Sequence, residues 1–93
     1  MRKMKIEDVF SSRLRMKILR ILVRVGELNG SEIARRLGVN YATTSKHLKT
    51  LEDEGILVHK VFGRICLYRL NERSPKAKAV QTLVETWEQA NKQ

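Results

Sequence analysis

Gly38-Val39-Asn40 restricts this chain more than any other stretch. It is a short joint between two amphipathic segments, so the chain must turn sharply there. Upstream, Asn29-Gly30-Ser31-Glu32 has the spacing of a capping box, with Asn29 as N-cap and Glu32 reaching back. The short helix it opens buries Ile33, Ala34 and Leu37 and points Arg35 and Arg36 outward. Gly38 suits the residue just past a helix C-terminus. Val39 plugs the turn and Asn40 caps the next helix. Downstream, Asn40 to Glu54 reads as a helix with two faces. Thr44, Leu48 and Leu51 recur at spacings of four and three, as a buried stripe requires. Tyr41, Ala42, Ser45, Lys46 and Lys49 take the other side, which is small, hydroxylated, basic and aromatic. Two short helices joined by a tight glycine-containing turn have the form of a helix-turn-helix.

The flanking segments give this pair a setting. Residues 1–10 are weakly patterned and read as a basic arm or a short helix from about Ile6 to Phe10. Ser11 or Ser12 caps a strong helix over 12–25. Its main stripe is Leu14, Ile18, Ile21, Leu22 and Val25, with Met16, Leu19 and Val23 as a second apolar flank, so it packs on two sides. The helix-turn-helix occupies 30–37 and 41–54, and Gly55 stops it. Carboxylates 52–54 read as the solvated exit of that helix. The period then changes. Ile56–Val61 and Ile65–Leu70 are β-branched and aromatic around a Phe62-Gly63-Arg64 turn, which makes a hairpin over 56–70. Cys66, Tyr68 and Leu70 face inward. Ile65, Leu67 and Arg69 take a second face whose apolar residues call for another cover, with the final helix as the candidate. Ser74-Pro75 starts that helix, which runs over 75–91. Ala77, Val80, Val84, Trp87 and Asn91 alternate by three and four, with Leu83 widening the stripe. This seam is read as a dimer interface. The fold class is therefore mainly α with a small β-hairpin, in one domain spanning 1–93.

Composition narrows the partner. Nineteen Lys and Arg oppose ten Asp and Glu, a formal charge of +9 on 93 residues. That excess favours a polyanion, nucleic acid first and anionic membrane second. It is concentrated at Arg2, Lys3, Lys5, Arg13, Arg15, Lys17, Arg20 and Arg24. No apolar run approaches the ~20 residues that span a bilayer. Glu7 and Asp8 interrupt any signal-peptide core, so the chain is expected in the cytoplasm. The single cysteine, Cys66, allows no intrachain disulfide and reads as a small apolar strand residue. His47 and His59 are scattered, so neither a metal nor another cofactor is expected. There is no glycine-rich phosphate loop, Cys–His pair or nucleophile elbow, which argues against an enzyme.

The order helix, helix-turn-helix, hairpin, helix resembles an ArsR-like winged helix-turn-helix, with PadR-like and MarR-like relatives. Ser12-Arg13-Leu14-Arg15 with Ile18-Leu19 resembles that family's first helix. Ser31-Glu32-Ile33-Ala34-Arg35-Arg36-Leu37-Gly38-Val39 resembles its helix-turn-helix opening. Ser45-Lys46-His47-Leu48, Leu51 and Gly55-Ile56-Leu57 resemble its recognition helix and exit. Gly63-Arg64 with Tyr68-Arg69-Leu70 resembles its wing. The resemblance covers about residues 11–70 and implies DNA binding. The Cys-x-Cys type motif of metal-sensing members has no counterpart at Glu32–Leu37, so metal sensing is not implied.

A helix fits the major groove, and its exposed N-terminal residues reach base edges. Lys46 can donate to guanine O6 or N7, Ser45 and Thr43 can donate or accept, and Ala42 can touch a thymine methyl. Tyr41 can bond a phosphate or pack on a sugar or a base edge, and with Ala42, Ser45 and Lys46 it is read as facing bases. Lys49, Arg35, Arg36 and Arg64 suit the phosphate backbone. Ordinary structural roles compete for several residues. Thr43 also suits the helix start, His47 the edge of the core, and Arg13, Arg15 and Lys17 solvation of their helix. The expected function is a dimeric double-stranded DNA-binding regulator of repressor type that recognises a palindrome and occludes a promoter. The alternatives are a partition or chromatin-type adaptor that spreads along DNA, with higher-order self-association, and a protein-interaction module that does not bind DNA.

Overall fold

Side-chain caps fix four of the five helix starts in the computed structural model of the protein, which describes residues 4–92. Ser12 Oγ accepts from Arg15 N at 3.2 Å and opens α2 (Arg13–Val25). Asn29 Oδ1 accepts from Glu32 N at 2.7 Å and opens α3 (Gly30–Leu37). Asn40 Oδ1 accepts from Thr43 N at 2.8 Å and opens α4 (Tyr41–Asp53). Ser74 Oγ accepts from Ala77 N at 3.3 Å and opens α5 (Pro75–Asn91). Each satisfies an N–H that the first helical turn leaves without a partner. The N-terminal segment, left open between arm and helix, forms α1 (Ile6–Phe10) without a side-chain cap. Gly38 closes α3 at φ +71, and its N–H bonds to the carbonyls of Ala34 and Arg35. That left-handed backbone favours glycine and sends the chain directly into α4.

A three-stranded antiparallel sheet completes the fold, in the order β1 (Glu27–Asn29), β3 (Ile65–Leu70), β2 (Leu57–Phe62). The first of these strands is absent from the sequence reading, in which only Asn29 had a role, as the cap of α3. Three residues are too few to display alternation. β1 owes its existence to the open edge of β3, where Leu28 pairs opposite Tyr68. The hairpin turn is also tighter than expected. Phe62 pairs with Ile65, which leaves only Gly63-Arg64 as the loop. Gly63 alone there has positive φ, at +58, consistent with a two-residue hairpin turn that takes Gly at its first central position.

The core gathers Ile18, Leu19 and Leu22 from α2, Ile33 from α3 and Leu48 and Leu51 from α4. Ile56, Leu57, Tyr68 and Leu70 join them from the sheet side, and Ala77, Val80 and Val84 from α5. Helix α2 lies at the centre, in contact with α1, α3, α4, α5 and the sheet. This enclosure corrects the assignment of its faces. Leu19, placed on the secondary flank, is fully buried, while Val25, placed on the main stripe, is 46% exposed. Val25 is the last residue before Gly26 turns the chain away, so nothing packs over it.

Two further expectations need correction. Helix α5 packs on α2 rather than on the second face of the hairpin. That sheet face stays open instead, with Phe62 and Ile65 exposed. Lys60 and Arg69 meet Glu27 on the same face at 3.4 and 3.9 Å. Glu54 is not a solvated exit either. Its side chain is 3% exposed and accepts from the main-chain N–H of Met4 and from Lys76 Nζ, both at 3.0 Å. The reversal at Gly55 turns this carboxylate inward beneath α5, where only charge and hydrogen bonding make its burial tolerable.

These burials set the scale of substitution effects. Leu48→Ala should destabilise the protein by about 2–5 kcal/mol, because a fully enclosed leucine leaves a cavity. Val25→Ala should stay within about 0.5 kcal/mol, as exposed positions usually do. Urea denaturation of the two variants measures the difference.

Candidate nucleic-acid interface

Helix α4 divides as its stripe requires. Thr44, Leu48 and Leu51 are each fully buried. Thr44 Oγ1 donates to Asn40 O at 3.1 Å, so the one polar group of the stripe is satisfied within its own helix. On the opposite side Tyr41, Ala42, Lys46 and Lys49 are exposed, and Thr43 and Ser45 are half-buried. All six candidates for base or phosphate contact thus reach solvent. Lys49 is held at its helix end by an exposed ion pair with Asp53 at 3.7 Å.

The start of this helix and the hairpin tip share one small crevice of about 200 Å³. Tyr41 lines it from α4, Arg64, Ile65 and Cys66 from the hairpin, and Asn29, Gly30 and Ser31 from the opening of α3. Gly30 allows the aromatic wall to close. A Cβ at that position would lie 3.0 Å from Tyr41 Cε1 and 3.5 Å from Tyr68 Cε2. Tyr41 is therefore seated against the preceding helix even though half of its surface is open. Arg64 reaches solvent from the turn, so a hydroxyl-bearing ring and a guanidinium flank the same opening.

Arg35 and Arg36 are arranged differently from their sequence reading. Glu32 does not reach back to close the capping box. Its carboxylate accepts from Arg35 Nε and from Arg36 Nε, each at 2.9 Å. These hydrogen bonds, that of Arg35 first, hold the Glu32 carboxyl down to about 2. The two arginines remain open to solvent, but as a cluster whose charge is partly cancelled.

The contact that sequence reasoning missed lies behind α4. Arg15 Nη1 donates to Nδ1 of His47 at 3.1 Å. The same guanidinium donates to Val9 O at 3.0 Å and to Asp8 O at 2.8 Å. Arg15 is thus engaged inside the fold and is not a free surface charge. Arg20 is similarly tied to Glu88 at 3.0 Å. Arg2 and Lys3 lie outside the described residues. A basic helix followed much later by a histidine gives no spacing signal that the two will meet, since only the packing of α2 against α4 joins them.

Helix-turn-helix, flanking hairpin and central first helix together define a winged helix-turn-helix, a DNA-binding class. The chain belongs to the arsR family of bacterial regulatory proteins, whose pattern matches residues 12–58. No curated protein matches it. Among solved structures it is similar to HlyU from Vibrio cholerae N16961, with 25% identity and a TM-score of 0.75 over 86% of this chain and 84% of that one. The transcriptional repressor BigR from Xylella fastidiosa shares 25% identity with a TM-score of 0.73, over 85% of this chain and 74% of that one. The homodimeric winged helix-turn-helix DNA-binding domain of Mb0332 from Mycobacterium bovis shares the fold at 24% identity and a TM-score of 0.72, over 88% and 73%. Family and fold are those of DNA-binding transcription regulators. Among the described residues no cluster of three His, Cys, Asp or Glu side chains could hold a metal ion. No helix among them is long and apolar enough to cross a membrane.

The His47 contact gives the protein a defined response to acid. Burial, and then the positive charge of Arg15, lower the pKa of His47 from its ordinary value of 6.5. The folded protein thus holds this imidazole neutral, with Nδ1 accepting, while the unfolded chain protonates near 6.5. The contribution to stability is complete above 6.5 and is lost as pH falls through the lowered folded value. His47→Asn keeps an acceptor for Arg15 and removes the titration. Thermal melts from pH 7.5 to 5 should show a smaller loss of Tm for this variant than for the wild type, and equal losses would contradict the assignment.

Proposed function

We propose that the chain is a homodimeric transcriptional regulator of repressor type that recognises a palindromic DNA site. The observation that carries this reading is the shared opening of Tyr41 and Arg64, which puts the first turn of α4 and the hairpin tip on one continuous surface. In this arrangement α4 enters the major groove. Ala42, Thr43, Ser45 and Lys46 then face base edges, with Lys46 as donor to guanine. Tyr41, Lys49 and Arg64 meet the backbone and fix the register. Arg35 and Arg36 join them when phosphate oxygens replace the Glu32 carboxylate. The repressor BigR, which is similar to this chain, supports the direction of regulation.

Dimerisation uses part of the α5 stripe. Ala77, Val80 and Val84 are at most 7% exposed because they pack on the chain's own core. Leu83 and Trp87 are 48% and 66% exposed, and Asn91 lies beside them. Leu83 forms a ridge between two apolar grooves. One, of about 430 Å³, is lined with Met16, Trp87 and Asn91, and the other, of about 320 Å³, with Ile6, Phe10 and Ala79. A ridge beside a groove is the relief that a two-fold copy can match. Homodimeric Mb0332 has the same fold. Two copies would place their α4 helices in successive major grooves about 34 Å apart.

Two measurements test this reading. Footprints on duplexes selected from random sequence should show one bounded, two-fold site at every protein concentration, and protection that spreads outward would contradict it. Leu83→Glu with Trp87→Glu should sediment as a monomer and lose that footprint while keeping the wild type's far-UV circular dichroism, with a Tm lowered by the lost association. Separately, Lys46→Ala should cost about 1–3 kcal/mol of discrimination at one base position. Arg64→Ala should weaken all sequences alike and reduce the salt slope by about one. Indistinguishable effects of these two changes would refute the division into base and phosphate contacts.

A further inference from the structure

The hairpin ends in an apolar tip that the contacts above do not use. Phe62 and Ile65 pair on its last rung, directly before and after Gly63-Arg64. Opposed residues of an antiparallel ladder share a face, so the two side chains stand abreast. They are 58% and 50% exposed. Two residues back on the same face, Lys60 holds its Nζ 5.2 Å from the centre of the Phe62 ring. Arg64 occupies the turn itself, and Ile65 also lines the crevice shared with Tyr41. The tip is therefore continuous with the α4 surface.

An exposed pair of this kind at the end of a sheet is a hazard for a soluble protein unless it meets something. Its partner must accept two different chemistries at once. Lys60 and Arg64 call for anions, while Phe62 and Ile65 call for a flat apolar surface only a few ångströms away. A DNA minor groove offers both, with phosphates along its walls and, once a base step is opened, the apolar faces of the bases.

We propose that Phe62 and Ile65 form a wedge that enters the minor groove beside the α4 site, opens one base step and bends the duplex. The proposal rests on the DNA-binding reading above. The minor groove of B-DNA is only about 6 Å wide, whereas paired strands are themselves about 4.8 Å apart before their side chains are counted. A phenyl ring and a sec-butyl group side by side enter only if the groove widens. Apolar wedges of this type kink DNA by about 20–90° toward the major groove. Pyrimidine–purine steps unstack most readily. The wedge therefore selects such a step where no hydrogen bond reads the bases, and it extends the recognised sequence beyond the reach of α4. Lys60, also paired with Glu27 at 3.4 Å, steadies the ring and keeps positive charge next to the opened groove.

The test uses a selected duplex with fluorophores at its ends and 2-aminopurine placed in turn at each pyrimidine–purine step. Wild-type protein should shorten the end-to-end distance and raise 2-aminopurine fluorescence at one step per half-site. The Phe62→Ala, Ile65→Ala double variant should bind the same site, about tenfold more weakly, with neither signal and with an unchanged salt slope. Both side chains are exposed, so a thermal melt matching the wild type verifies the fold. Binding by the wild type without bending or unstacking would overturn the wedge, as would full bending by the double variant. If the double variant loses self-association in sedimentation but still bends DNA, the tip belongs to a protein contact and the wedge is again overturned. Failure of the wild type to bind any duplex would instead remove the DNA-binding reading on which the wedge depends.

Discussion

Arg15 donates from one guanidinium to Val9 O, to Asp8 O and to Nδ1 of His47. The two carbonyls belong to the last turn of α1, where a helix has acceptors without intrahelical donors. A cation suits that end of a helix. The third contact reaches α4, so one side chain on the central helix ties the N-terminal segment to the helix proposed to face DNA. The hydrophobic stripe of Thr44, Leu48 and Leu51 limits how far α4 can move away from the core. It constrains rotation about the helix axis less, because apolar packing has little directionality. A planar donor aimed at one ring nitrogen adds that directionality. The pose of Tyr41, Ala42, Ser45 and Lys46 therefore depends on a contact on the far side of their helix.

The charge of +9 is organised rather than simply spread over the surface. Several carboxylates each serve a group of cations. Glu32 meets Arg35 and Arg36, Glu88 meets Arg20 and Arg24, and Glu27 meets Lys60 and Arg69. Exposed pairs of this kind contribute only about 0–1 kcal/mol, so phosphate can replace the carboxylate at small cost. Among the described residues Lys46 and Arg64 form no ion pair. They also sit where base and wing contacts are expected. The arrangement keeps Arg35 and Arg36 ordered before any polyanion arrives and leaves Lys46 and Arg64 immediately available.

Much of this architecture could be read in one dimension. The serine and asparagine caps, Gly38 and Gly55 act over three or four residues, so their spacing was visible directly. The inward face of α4 was legible for the same reason, since a 3.6-residue period exposes its own stripe. The α5 stripe was misleading because periodicity shows that a face is apolar without showing what covers it. Ala77, Val80 and Val84 turned out to cover their own core. The buried Glu54 was similarly opaque. Three consecutive carboxylates look like a solvated helix end, and only the return of α5 over Gly55 brings Lys76 to one of them.

By itself, then, the chain's sequence determined where α2 to α5 start and stop, which face of α4 is apolar and where the hairpin turns, because these depend on neighbours within about one helical turn. The residues on the exposed face of α4 were nameable for the same reason. Tertiary structure alone decided that Arg15 would hold His47, that Glu32 would hold two arginines instead of closing its cap, and that β1 would exist. It also decided that Tyr41 and Arg64 would share an opening and that Phe62 and Ile65 would remain uncovered. Each of these depends on the distance between groups brought together by packing or on which surface packing leaves free, and neither is written in local spacing.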